Sequence, residues 1–416
     1  MQQVLINTTT NPPTPCHLCI ITMAIHARES NQPQIEIIVN TATSTVSTQP
    51  HNGIFMIIKA LISPSTARFH AGHFRISLSL CSQALLWKTL GEPTDDSNTF
   101  RRLLRMLPST AFIFLWFLAL LTLVSLCLLY LLRCFFHFDM VKSEFFHNVG
   151  VNYMFAPWIS WLLLLQSSPF FTPDTISYLV LWWVFVVPIV ALDVKIYGQW
   201  LMEGKRFLST VANPTTQLSV IGNLVGALAA AKMGWKESAV CMFSLGMTHY
   251  LVLFVTLYQR LTGNNCLPAM LRPVFCLFFA APSMACLAWD SISGSFDYSA
   301  KMLFFLSLFL FTSLNCSEIS FFVLLLKVSR PTLFKKSMKK FNVAWWAYSF
   351  PLTFMALAST EYAQEVKSGI AHGLMLLLSL LSVVVSLVLM VFTVLNANML
   401  LPSDDPILSP TSTRTR

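Results

Sequence analysis

Charge is scarce in this sequence: Asp, Glu, Lys and Arg together make up 11% of 416 residues, where a soluble domain carries about 25%. With 55% hydrophobic residues and a mean hydropathy of +0.64, that scarcity excludes an ordinary soluble enzyme and assigns the chain to a lipid bilayer. Carboxylates are rarer still inside the apolar runs, Asp193 and Asp290 at two run ends being the main cases. Cation channels and proton-coupled carriers keep costly acids deep in the membrane because they need them, so their scarcity argues against cation transport. A phosphate-cradling Gly-rich loop, His-Glu-x-x-His and Gly-x-Ser-x-Gly are all lacking, which speaks against an ATP-driven pump and leaves neither a catalytic residue nor a cofactor to expect. Cys16-His17-Leu18-Cys19 has no second pair at finger-like spacing, so no metal site is expected. Cys81, Cys127, Cys241, Cys276 and Cys286 lie in apolar runs and read as small buried hydrophobes.

What is present is a steady series of apolar runs. A span needs roughly 20 apolar residues, and ten are expected at 74–90, 109–133, 150–168, 176–194, 216–234, 238–259, 272–291, 300–325, 341–361 and 370–397. The fold class is therefore an all-α polytopic membrane protein. Residues 1–69 form a Thr-, Pro-, Asn- and Ser-rich tail without a signal peptide, 1–22 reading as an upstream extension; residues 70–400 are the ten-helix domain and 401–416 a C-terminal tail. With both termini cytoplasmic, the inner loops hold 13 Lys and Arg and the outer loops 7, which obeys the positive-inside rule. The net charge of +9 is spread over loops and gives no nucleic-acid signal; it reads as orientation and anion attraction.

A repeat shows in the prolines. Phe155-Ala156-Pro157, Ala280-Ala281-Pro282 and Ser349-Phe350-Pro351 fall on odd-numbered spans, which suggests helical hairpins whose odd members are kinked around a cavity. Gly222 and Gly226 take the corresponding place in the fifth span, where they thin the helix. Ordinary bundle packing also accommodates such prolines. Lys142, Lys205-Arg206 and Arg330 each follow an even span and precede an odd one; they either anchor topology or ring the inner mouth of a pore and concentrate anions there. Phe350, directly before Pro351, is the aromatic placed to occlude a narrow pore.

Six motifs in order carry a resemblance: Val151-Asn152-Tyr153-Met154-Phe155-Ala156-Pro157-Trp158, Lys195-Ile196-Tyr197-Gly198-Gln199-Trp200, Val211-Ala212-Asn213-Pro214, His249-Tyr250-Leu251-Val252, Thr256-Leu257-Tyr258-Gln259-Arg260 and Val343-Ala344-Trp345-Trp346-Ala347-Tyr348-Ser349-Phe350-Pro351. From about Phe74 to Leu400 the chain resembles the plant slow-type (S-type) anion channels, relatives of the bacterial tellurite-resistance and dicarboxylate transporters. The resemblance implies ten helices in five hairpins, odd helices around a central pore, and a homotrimer or a heteromer with related subunits. It also implies passive flow of chloride and nitrate across the plasma membrane, and protein kinases as partners. It puts Phe350 on the gating phenylalanine, and Lys142 and Arg206 on basic positions of the cytoplasmic side. Leu163 stands where some relatives carry a second pore-facing phenylalanine.

Two departures qualify these expectations. The tail is short for one that kinases control, and Asn315–Ser329 exceeds the relatives' connection by about 13 residues, which reads as a translated intron that would overlengthen the eighth span and displace Arg330. The expected function is a passive chloride and nitrate channel. The rivals are a silent or regulatory subunit and a carrier for malate-like acids; the latter would need a partnered intramembrane acid or histidine, for which His249 is the one candidate.

Overall fold

The computed structural model describes residues 66, 69–92, 109–202, 212–262, 274–316 and 343–396, all in one compact unit, Asn52–Arg416. Every regular element among them is helical, as a bilayer demands of a backbone that has no water to bond with. The helices are α1 (Arg75–Gly91), α2 (Ser109–Phe136), α3 (Phe138–Phe146), α4 (Phe155–Ser167), α5 (Ile176–Met202), α6 (Gln217–Lys232), α7 (Lys236–Thr262), α8 (Leu277–Ser293), α9 (Tyr298–Cys316), α10 (Ser349–Val366) and α11 (Gly369–Leu395). Single turns lead into five of them: Ala71–Phe74 before α1, Gly150–Tyr153 before α4, Pro214–Thr216 before α6, 274–276 before α8 and Val343–Ala347 before α10. Among the described residues five segments are long and apolar enough to cross a membrane, and α3 with α4, bent by 103°, make a sixth when counted as one span.

Two kinds of helix alternate along the chain. Helices α2, α5, α7 and α11 have 27 or 28 residues, about 40 Å of helix, and turn their apolar side chains outward: Phe114, Val194 and Val394 are 70%, 70% and 77% exposed. The 19-residue α9 does the same with Met302 and Phe309. Helices α1, α4, α6, α8 and α10 are shorter, 13 to 18 residues, and buried nearly all round; in α6 every residue from Gln217 to Ala230 is buried. Each long helix packs on the short one before it: α2 on α1, α5 on α4, α7 on α6, α9 on α8, α11 on α10. The short helices pack on one another in a closed cycle, α1 to α4, α6, α8, α10 and back to α1.

Helices that meet protein instead of lipid can carry polar residues, provided these find partners. Ser77 Oγ and Ser160 Oγ join α1 to α4 at 3.1 Å. Ser79 donates to Ser349 at 2.6 Å, and Gln83 Nε2 donates to Thr353 Oγ1 at 2.9 Å and to Ser382 Oγ at 2.7 Å, tying α1 to α10 and α11. Small residues set the spacing elsewhere. A Cβ on Gly226 would lie 2.5 Å from Met242 Cε of α7, so the glycine permits that close approach.

The expected spans match the helices to within about five residues except in four places, the first being α5, which runs on to Met202 where an end at 194 is expected. A separate helix, α3, occupies what reads as a loop, because its mixed composition hides a short surface helix. The ninth span begins in a turn and becomes α-helical only at Ser349. The eighth is described to Cys316, so most of the Asn315–Ser329 excess lies outside the described residues. Among the prolines, Pro282 is inside α8, but Pro157 and Pro351 are the third residues of α4 and α10. There the missing N–H has no partner to lose, so these two start helices rather than kink them in the middle. Pro188, which the repeat did not flag, lies inside α5.

Candidate functional site

A cavity opens where the short helices begin. Its wall is formed by Arg75 and Leu78 of α1, Tyr153 at the lead-in to α4, Leu218 of α6, Val274 and Leu277 at the start of α8, and Trp346, Ala347 and Phe350 at the start of α10, around an empty volume of about 290 Å³, open mouth included. All five short helices therefore present their N-terminal ends to one space. Lead-in turns pair the first N–H groups, Arg75 N–H with Gly72 and Gln217 N–H with Pro214, and the positive end of each helix dipole points at this space, which makes it attractive to anions.

The aromatic closure is built from α10. Phe350 is 2% exposed, and its ring meets Phe354, one turn on, edge to face at 4.8 Å between centroids. The turn before α10 is pinned by Trp346, whose Nε1 donates to Thr393 Oγ1 of α11 at 2.9 Å. Phe350 thus sits on a helix start whose position α11 fixes. The described cavity residues are apolar or aromatic apart from Arg75. This guanidinium is 6% exposed; Nε donates to the Gly72 carbonyl at 2.9 Å and the Tyr153 ring faces Cζ at 4.6 Å.

A second polar cluster secures the lead-in to α1. Glu144 of α3 accepts from the Ala71 N–H at 2.7 Å and pairs with Arg133 of α2 at 3.5 Å, both side chains being 2% exposed. Arg133, at the end of the second apolar run and so one of the 13 basic residues assigned to inner loops, is therefore an internal counter-ion. Asp193 is likewise buried, accepting from Asn223 Nδ2 at 2.6 Å between α5 and α6, away from the cavity wall. His249 stacks flat on Tyr197 at 3.3 Å, a packing arrangement. Among the described residues no three His, Cys, Asp or Glu come together to hold a metal.

Of the candidate site residues that the structure describes, Phe350 lines this cavity, together with Tyr153, Trp346 and Ala347 of the sequence motifs. Pro351 follows it in the first turn of α10, Pro157 stands in the first turn of α4, and Pro282 is buried within α8. Leu163 is fully buried in the core but is not a wall residue. Lys142 is exposed on α3, outside the wall. Arg206 and Arg330 lie outside the described residues. Sequence reasoning missed Arg75, although a charged residue at the head of an apolar run is a signal of function by itself.

With this geometry in view, similarity to known proteins is specific. Residues 68–394 match the voltage-dependent anion channel family of the SLAC1 type. The S-type anion channel SLAH1 of Arabidopsis thaliana is 56% identical over 377 residues, covering 90% of this chain and 94% of that one. The guard cell S-type anion channel SLAC1 of the same plant is 43% identical over 338 residues, 80% of this chain and 57% of its own length. The tellurite resistance protein TehA homolog of Haemophilus influenzae is 23% identical over 308 residues. The chain belongs to the slow-type anion channel family. It is a multi-pass membrane protein, and its Arabidopsis relatives are named anion channels, which are not enzymes.

Proposed function

We propose that the chain is a passive channel for small monovalent anions, chloride and nitrate, in the plasma membrane, with both termini cytoplasmic. Its ten spans form five hairpins, and the cycle of short helices encloses the conduction path. The observation that carries this reading is the cavity where five helix N-termini, one arginine and Phe350 meet: a positive, largely apolar mouth under an aromatic ring. Anions are drawn by the field and stopped by the ring, which opens by rotating away. Lys142, with Arg206 and Arg330, raises the anion concentration at this cytoplasmic mouth. A path without a tight cage favours anions that shed water cheaply, so nitrate passes at least as readily as chloride. The assembly is a homotrimer or a heteromer with related subunits, open to kinase control.

The test is two-electrode voltage clamp in oocytes of the parent chain and Phe350→Ala, in nitrate and in chloride, with surface delivery measured for both. The expected result is a mutant current reversing near the anion equilibrium potential and at least about tenfold above the parent, as removal of an aromatic constriction predicts. Surface-delivered but silent protein in both cases would overturn conduction by this chain alone and favour a silent subunit. Saturable, pH-dependent uptake without current would favour a carrier.

A further inference from the structure

We infer that Arg75 is an anion-coordinating residue, and that the space between its guanidinium and Phe350 is a discrete binding site for a small monovalent anion, with planar oxyanions such as nitrate held better than halides. The inference deepens the channel reading but depends on it only for the route by which the ion arrives.

The observation is an uncompensated charge. Arg75 is 6% exposed, and its Nη1 is buried without a hydrogen-bond partner among the described residues. Leaving a buried charge unpaired costs several kcal/mol, and the Tyr153 ring at 4.6 Å returns only about 0.5–2 of that. Among the described residues of the cavity wall Arg75 is the one that carries a charge, so no described carboxylate of the wall neutralises it. The nearby Glu144 is engaged by the Ala71 N–H and Arg133. The helix N-termini that share the cavity add positive potential and make an unaccompanied guanidinium still less favourable.

The local backbone is shaped to hold the group in place. Nε is bonded to the Gly72 carbonyl, which orients the planar fork. A side chain at Gly72 would put Cβ 2.9 Å from Nη2 and 2.5 Å from His70 Cε1, so glycine leaves the room that the guanidinium occupies. With Nε committed to the backbone and Nη1 left without a partner, Arg75 has a donor to spare beside the space rimmed by Leu78, Leu218, Leu277 and Phe350. A mobile anion satisfies both the donor and the charge. A planar trigonal oxyanion engages a guanidinium through more than one oxygen, which a spherical halide cannot do.

The experiment uses the purified full chain in detergent with gluconate as the only anion, titrated with nitrate and separately with chloride at constant ionic strength, the thermal unfolding midpoint being read. The expected result is an upward shift of about 2 °C or more at saturation, reached at lower nitrate than chloride and abolished in Arg75→Gln, with Arg75→Lys keeping the chloride response but losing the nitrate preference. An equal shift in Arg75→Gln, or no anion-specific shift in the unaltered chain, would overturn the site; the second readout stands even where the glutamine variant does not fold. An anion shift that needs Arg75, alongside a silent Phe350→Ala in oocytes, would keep the site and count against conduction.

Discussion

The short helices and the long ones are built from the same apolar alphabet and obey different rules. In α8, 67% of the most apolar window is buried, against 22% in α2. Lipid is as apolar as leucine, so a long helix gains little by burying its side chains and is held by shape and by a few contacts. A short helix is surrounded by protein, so each side chain must fit a neighbour, and each polar group must find a partner. The difference teaches where function can reside: residues with chemistry, Arg75 and Phe350 among them, are on or at the heads of the short helices, while the long helices isolate them from lipid.

The two layers are joined by the ion pair between Arg133 of α2 and Glu144 of α3, which also holds the Ala71 N–H ahead of α1. Glu144→Gln leaves Arg133 buried without its counter-ion, and a loss of about 3–5 kcal/mol is expected, measured by denaturation in mixed micelles. A loss under about 1 kcal/mol would mean that the layers are not coupled there. Next in size is a direct contrast between layers. Phe354→Ala, at a fully buried ring of α10, is expected to cost about 2–4 kcal/mol from the void it leaves, whereas Phe309→Ala, 65% exposed on α9, should cost less than about 0.5. Equal costs would erase the distinction.

Polar cross-links sharpen it further. Gln83→Leu removes the donor that reaches Thr353 and Ser382 and leaves their hydroxyls to find other partners, an expected loss of about 1–2 kcal/mol that Gln83→Glu should not repair. The smallest effect is one of pH. His147, ahead of the Gly150–Tyr153 turn, accepts from the Val149 and Gly150 N–H groups through Nδ1, and burial holds its pKa below the ordinary value of 6.5. The unfolded chain therefore binds the proton more readily, so the contribution is complete above pH 6.5 and falls as pH drops from there through the lowered folded value. The unfolding midpoint of His147→Asn should fall less between pH 7.5 and 5.5 than that of the parent.

Much of this architecture is legible in sequence, because span length and apolar content are properties of single segments. Arg75 to Gly91 and Gly369 to Leu395 fall almost where the apolar runs place them. What is hidden depends on neighbours. Arg133 looks like a loop anchor until Glu144, 11 residues on, folds back beside it. Pro351 looks like a mid-span kink because the expected span begins eight residues before the α-helix does, and the part described just ahead of α10, Val343–Ala347, is a 3-10 turn that hydropathy does not distinguish. Arg75 looks like a boundary charge because nothing in a linear pattern shows that five helix starts converge on it. The gate candidate Phe350 was visible because proline beside an aromatic is a local signal.

The central claim is that anions pass inside the cycle of short helices, entering at the Phe350 end. Its most direct measurement is cysteine accessibility in excised patches of Phe350→Ala channels. A charged thiol reagent is applied to the cytoplasmic face of Leu218→Cys, at the cavity wall, and of Phe309→Cys, on the outer surface, with the otherwise unaltered channel as control. The account predicts that modification of Leu218→Cys removes most of the current, and does so more slowly in high nitrate, while Phe309→Cys behaves as the control. Loss of current at Phe309→Cys with none at Leu218→Cys would place the path outside the ring and contradict the account.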